Sequence, residues 1–125
     1  MPSVSKDTTE KYDDYGVVDD RHSDLDGYTV NFVTVKQTHD LAPMLAGLPT
    51  GRCTCPHWGF VFKGRVIVRY EDHEDILGAG DAYYMAPGHA PEAEEGTELV
   101  QFSPADQLAE VEAALMAAMH VTPKA

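Results

Sequence analysis

The chain has 125 residues, 43% apolar and 24% charged, which suits one domain with a hydrophobic core of its own. Twenty-one Asp and Glu against nine Lys and Arg leave a formal net charge of −12. A surface this acidic repels phosphate backbones and anionic lipid, so neither a nucleic-acid nor a membrane partner is expected.

Residues 1–26 are rich in acids, among them Asp13, Asp14, Asp19, Asp20, Asp24 and Asp26, and poor in apolar anchors. They read as an extended arm, partly disordered or laid over the surface. Tyr12, Tyr15, Val17 and Val18 are points at which it could be pinned, as an extra strand or across a dimer. The arm lacks the apolar stretch of a signal peptide, and no apolar run nears the roughly 20 residues of a membrane span, so a cytoplasmic protein is expected.

From Tyr28 to Val35 the sequence is β-branched and aromatic and predicts a strand. Residues 39–48, with Leu41, Met44, Leu45 and Leu48, predict a short helical connector. Short strands follow over 53–62, 65–70, 75–77, 82–86, 91–94 and 97–102, punctuated by Gly51, Gly64, Gly78, Gly80, Gly88 and Gly96. Many short strands between Gly, Pro and Asp turns point to an all-β barrel or sandwich. Ser103-Pro104-Ala105-Asp106 has the form of a helix start, with Ser103 as cap and Pro104 in the first turn. Leu108, Val111, Leu115 and Met119 then recur at helical spacing and predict a helix packed on the barrel. The expected division is an arm over 1–26, a barrel over 27–103 and a C-terminal helix over 104–125.

The two cysteines, Cys53 and Cys55, are one residue apart, too close on an extended strand to close a disulfide readily, and read as free or metal-bound thiols. If 53–63 is extended, Cys53, Cys55 and His57 share one face while Trp58, Phe60 and Phe62 share the other. Pro56 weakens that strand locally. Thiolates beside imidazole suit zinc, copper or iron better than magnesium or calcium. A fourth donor is expected from His89, held in a turn between Pro87 and Pro91. Glu92 follows closely and could supply an oxygen. Tyr83 and Tyr84 point opposite ways, so one of the pair lines the interior. His22, His39, His73 and His120 read as surface or connector residues. No phosphate-cradling glycine loop, Gly-x-Ser-x-Gly elbow or His-Glu-x-x-His helix is present, and no nucleotide cofactor is expected.

Two spacings carry a resemblance. His57 to Gly64, HWGFVFKG, and Gly80-Asp81 followed by Ala82-Tyr83-Tyr84-Met85-Ala86-Pro87-Gly88 resemble the two motifs of the cupin superfamily across residues 51–103. The resemblance places His57 where that family has a glutamate ligand and Cys53 where it has the second histidine of a His-x-His pair. The family's last histidine falls at Pro91, two positions after His89. The resemblance implies a jelly-roll β-barrel, a divalent transition metal held among His57, His89, Cys53 and Cys55, and pairing of two copies through their sheets, with the arm and the Trp58 face as contact surface. It also implies a small organic ligand in the barrel, met by Tyr83, Tyr84 and Glu92. Chemistry there would be dioxygenase-like or of the isomerase or lyase kind. The residues leave a second reading open: a non-catalytic module that holds metal or ligand, or a structural dimeric barrel.

Overall fold

The computed structural model describes residues 3–121, with side chains described through residue 117; Met119, His120 and residues 122–125 lie outside the described residues in that sense. Ten strands and two helices follow in order. They are β1 (Lys11–Asp14), β2 (Val18–Leu25), β3 (Tyr28–Val35), β4 (His39–Asp40) and α1 (Ala42–Leu45). Then come β5 (His57–Lys63), β6 (Arg65–Arg69), β7 (Glu74–Gly78), β8 (Ala82–Met85), β9 (Ala90–Ala93), β10 (Glu98–Pro104) and α2 (Ala105–Val121).

The strands form two antiparallel sheets, one of six in the order β1-β2-β3-β10-β5-β8 and one of four in the order β4-β9-β6-β7. They face each other as a jelly roll of two sheets. Alternation along each strand turns Val61, Tyr83, Met85 and Leu99 of the larger sheet toward Val66 and Val68 of the smaller, and these six form the dry interior. A second core closes one end: Leu45 and Leu48 at α1 and Val111 of α2 pack on Cys53, Cys55 and Ala90.

The acidic arm is built into the larger sheet. Residues 11–14 and 18–25 are β1 and β2, and β2 pairs with β3 along its whole length, from Val18↔Val35 to Leu25↔Tyr28. The expectation of partial disorder rested on acidity, and two features offset it. Asp26 (φ 51) and Gly27 (φ 83) form a two-residue turn with both residues in the left-handed region, the hairpin connection that best matches strand twist. The carboxylates also find donors. Asp20 accepts from Asn31 Nδ2 at 2.9 Å, Asp24 from Thr29 Oγ1 at 2.7 Å, and Asp14 and Asp19 both meet Lys36 Nζ, at 3.0 and 3.1 Å.

The strand expected from residue 53 begins only at His57, because Pro56 interrupts it; Cys53 instead makes an isolated bridge with His89. At the other end β10 runs on through Pro104, and α2 starts at Ala105. Ser103 is therefore a strand residue, and its hydroxyl does not cap the helix.

Candidate metal centre

Three elements converge at the end of the sandwich closed by α1 and α2. The segment before β5 brings Cys53, the first residue of β5 is His57, and the β8–β9 connection brings His89. The backbone ties two of them together: Cys53 N–H donates to His89 O at 2.9 Å, and Gly88 N–H donates to Cys53 O at 2.8 Å. One donor atom from each of Cys53, His57 and His89 lies within 4.8 Å of the other two. All three are buried, with exposures of 7%, 6% and 0%.

Each imidazole is aimed by its far nitrogen. His89 Nδ1 sits 2.6 Å from the carbonyl oxygen of Ala86. A carbonyl only accepts, so Nδ1 carries the proton and Nε2 presents a lone pair. That Nε2 is buried with no hydrogen-bond partner. His57 Nδ1 meets Ser103 Oγ at 2.7 Å, and its Nε2 lies 3.7 Å from Cys53 Sγ. The rings of His57 and His89 stand 4.8 Å apart at 59°. Burial, with His89 as a second cause, pushes His57 down to about 3, and burial also lowers His89, so both rings are neutral near pH 7. Burial raises the Cys53 thiol, as expected of a sulfur with no cation beside it.

The donors suit a metal ion. Ligands at about 2.0–2.3 Å from one ion stand roughly 3.3–3.9 Å from each other. The Cys53–His57 separation already meets this, and a shift of roughly an ångström closes the widest one. An orphaned, fully buried imidazole nitrogen is costly on its own, and an ion would satisfy it.

Not every expected residue belongs here. Cys55 is absent from the donor cluster: beyond Cys53 the chain is not a strand, strict alternation fails at Pro56, and Cys55 lines the cavity beside Leu48 and Val111 instead. Its thiol is pushed up to about 12, first by burial. Tyr83 faces the interior and donates to Gln101 Oε1 at 2.7 Å, whereas Tyr84 points outward, 51% exposed, with its ring 5.1 Å from that of Trp58. Glu92 alternates with the inward Pro91 and Ala93, so it stands on the outer face of the smaller sheet, bonded by Arg69 Nη1 at 2.8 Å. Tyr84 and Glu92 therefore do not face the interior. Ser103 is the site residue that sequence reading missed. Its one signal is strand parity, since it follows Phe102, the register partner of Trp58, and so comes level with His57 on the inner face.

Two cavities flank this end. One of about 220 Å³ is lined by Leu48, Thr54, Cys55, Glu110 and Val111 among others; one of about 440 Å³ is lined by Arg52, Tyr70, His73 and Gly88 among others. Neither is lined by Cys53, His57 or His89. Among the described residues no helix is long and apolar enough to cross a membrane.

No protein-family model and no curated protein matches the chain. Solved structures do. An RmlC-like cupin from Shewanella frigidimarina is similar over 81% of this chain and 88% of its own, at 15% identity and a TM-score of 0.55. A putative ethanolamine utilization protein Q from Salmonella typhimurium is similar over 70% of each chain, at 14% identity and a TM-score of 0.51. KdgF from Halomonas sp. is similar over 76% of this chain and 86% of its own, at 16% identity and a TM-score of 0.50. At such identities the likeness speaks for architecture alone, and together with the two facing sheets it shows that this chain has the cupin fold.

Proposed function

We propose that this protein binds one transition-metal ion on Cys53, His57 and His89. The observation that carries the reading is His89 Nε2, fully buried, unpartnered and held in the lone-pair tautomer by Ala86 O. When bound, such an ion supplies a Lewis-acid or redox centre, and the chain's own contribution is to fix the two rings and keep water out. The test is elemental analysis of protein purified without added metal, then after loading with zinc or cobalt(II). One ion per chain is expected in the wild type and none in His57→Ala or His89→Ala. Absence of metal under every condition would sink the reading.

The site favours holding an ion over turning over an organic substrate. A catalytic centre keeps an open position toward substrate. Here Tyr83, Met85, Leu99, Val61, Val66 and Val68 fill the interior, and the helical cap closes the end. Room for a small organic ligand lies instead in the cavity of about 440 Å³ beside the His89 turn.

The expected partner is a second copy, met through the outer face of the larger sheet. Tyr28, Trp58, Phe60, Phe62, Tyr84 and Phe102 are each between 37% and 51% exposed there. At about 200 Å² per aromatic side chain they offer roughly 500 Å² per copy. Two copies would bury on the order of 1,000 Å² through these rings, which is the size of a weak, reversible interface. The row Phe102-Trp58-Tyr84 carries no charge in a chain of net charge −12, so two copies meet least local repulsion there. Sedimentation should give a dimer for the wild type and a monomer for Trp58→Glu with Phe60→Glu. A wild-type monomer at high micromolar concentration overturns it.

A further inference from the structure

Three donors do not complete a coordination sphere, and the side chain best placed to add a fourth is Met85. It is the last residue of β8 and the register partner of His57. It is 3% exposed and lies on the same inner face. Side chains directly opposed across an antiparallel pair have Cβ atoms about 4.5–5.5 Å apart. Methionine adds an unbranched, flexible thioether that can turn within such a space without moving the backbone. Met85 also shares its core with Tyr70, whose ring stands edge-on to His89 at 6.5 Å. The register thus sets Met85 opposite one imidazole, and its core includes the neighbour of the other.

The donor inventory discriminates among metals. The cluster holds one thiol, which would bind as thiolate, two imidazoles and no carboxylate. Magnesium, calcium and manganese prefer oxygen, and non-haem iron(II) takes two histidines with a carboxylate. Zinc accepts thiolate and imidazole but has no use for a thioether. A set of two histidines and one cysteine with a weak methionine is the arrangement that copper takes, and buried soft sulfur favours its reduced ion too.

We propose that the ion taken by this site is copper, bound by Cys53, His57 and His89, with the Met85 thioether as a weak fourth ligand. The inference rests on the metal-site reading above.

The experiment uses the full chain in a Cys55→Ser background, so that one thiol remains. Copper(II) is added to one portion, cobalt(II) or zinc to another, and copper is competed against zinc. The expected result is one copper per chain, held at least about 100-fold more tightly than zinc. An intense visible thiolate-to-copper absorption is expected, and it is abolished in Cys53→Ser. Met85→Leu, close in volume, should keep the copper and raise its reduction potential, whereas Met85→Gln should lower it. Opposite shifts from two similar-sized replacements would not arise from packing alone. If neither copper nor zinc nor cobalt binds, the site reading fails, and this inference with it. If zinc or cobalt binds and is lost in His89→Ala, but copper gives no Cys53-dependent absorption or binds no tighter, the site stands and copper is overturned. If copper gives the absorption yet both Met85 variants leave the potential unchanged, Met85 is not a ligand.

Discussion

Ser103 Oγ and His57 Nδ1 meet at 2.7 Å across 46 residues of sequence, and both side chains are buried. The hydroxyl leaves His57 one free nitrogen, and that nitrogen is the one facing Cys53. Partners of this kind fix the ring and tune its basicity, and removing one typically costs 10–100-fold in metal affinity. Ser103→Ala should therefore weaken metal binding by about 10-fold or more. A chelator-competition titration reads it, alongside a melt of the metal-free protein to account for any loss of fold. An unchanged affinity would show that Ser103 serves packing alone.

The two cysteines should behave differently although they are one residue apart. Cys53 Sγ lies 3.7 Å from His57 Nε2, while Cys55 lines the cavity it shares with Leu48 and Val111. Bound metal should protect Cys53 from alkylation and leave the rate at Cys55 unchanged. Cys55 should be slow in either state, since burial pushes it up to about 12 and little thiolate is present. Cys55→Ala should cost about 1 kcal/mol in stability through the small void it leaves, and keep full metal stoichiometry. Mass spectrometry of the alkylated protein with and without metal makes the distinction. Protection of both thiols would return Cys55 to the ligand set.

These contrasts mark what could be read from the chain alone. The strand Tyr28–Val35 was legible to the residue because its β-branched and aromatic run has one local interpretation. That His57 and His89 come together was foreseeable, because one opens an apolar strand and the other sits in a proline-rich turn. Ser103 was misread for a physical reason: Ser-Pro-Ala-Asp satisfies the local rule for a helix start, and the competing bond comes from a histidine 46 residues away. Cys55 falls outside the donor cluster because strand parity does not carry across Pro56, which stops the strand. The arm was foreseen as an extra strand or as partly disordered, and the Asp26-Gly27 hairpin turn is what selects the strand. For Ser103 a long-range partner decided the outcome, for Cys55 a break in register, and for the arm a local turn.

Asp20 gives a test of electrostatics away from the Cys53–His57–His89 cluster. It lies on β2 and accepts from Asn31 Nδ2 at 2.9 and 3.2 Å. Burial raises its carboxyl above the ordinary value and nearby Asp13 adds to this, against lowering by Asn31 and His22. The folded state therefore holds its proton more tightly than the unfolded chain, whose aspartates titrate near 3.9. Between those two values stability falls as pH rises, so the charged carboxylate is a cost at neutral pH. Asp20→Asn keeps an oxygen for Asn31 and removes the charge. Its melting temperature should exceed wild type at pH 7, and the difference should vanish below about pH 4. A variant less stable than wild type at pH 7 would mean that the Asn31 bonds outweigh desolvation.

Gly64 and Gly80 both adopt positive φ, +85° and +92°, yet they should respond differently to alanine. At Gly80 a Cβ would meet nothing within 4 Å, so Gly80→Ala carries only the left-handed strain of about 1–2 kcal/mol. At Gly64, between β5 and β6, a Cβ would collide with the backbone and side chain of Thr97. Thr97 cannot yield easily. It is fully buried, and its Oγ1 accepts from Arg65 N–H and donates to Arg65 O, each at 3.1 Å. Moving it would break both bonds and disturb the Val35 N–H to Thr97 O bond of 2.8 Å that ties this turn to β3. Gly64→Ala should therefore cost about 3 kcal/mol or more, the sum of strain and overpacking. Urea melts of the two variants compare them directly. Equal losses would mean that Thr97 relaxes freely, and that backbone conformation alone explains the glycine at position 64.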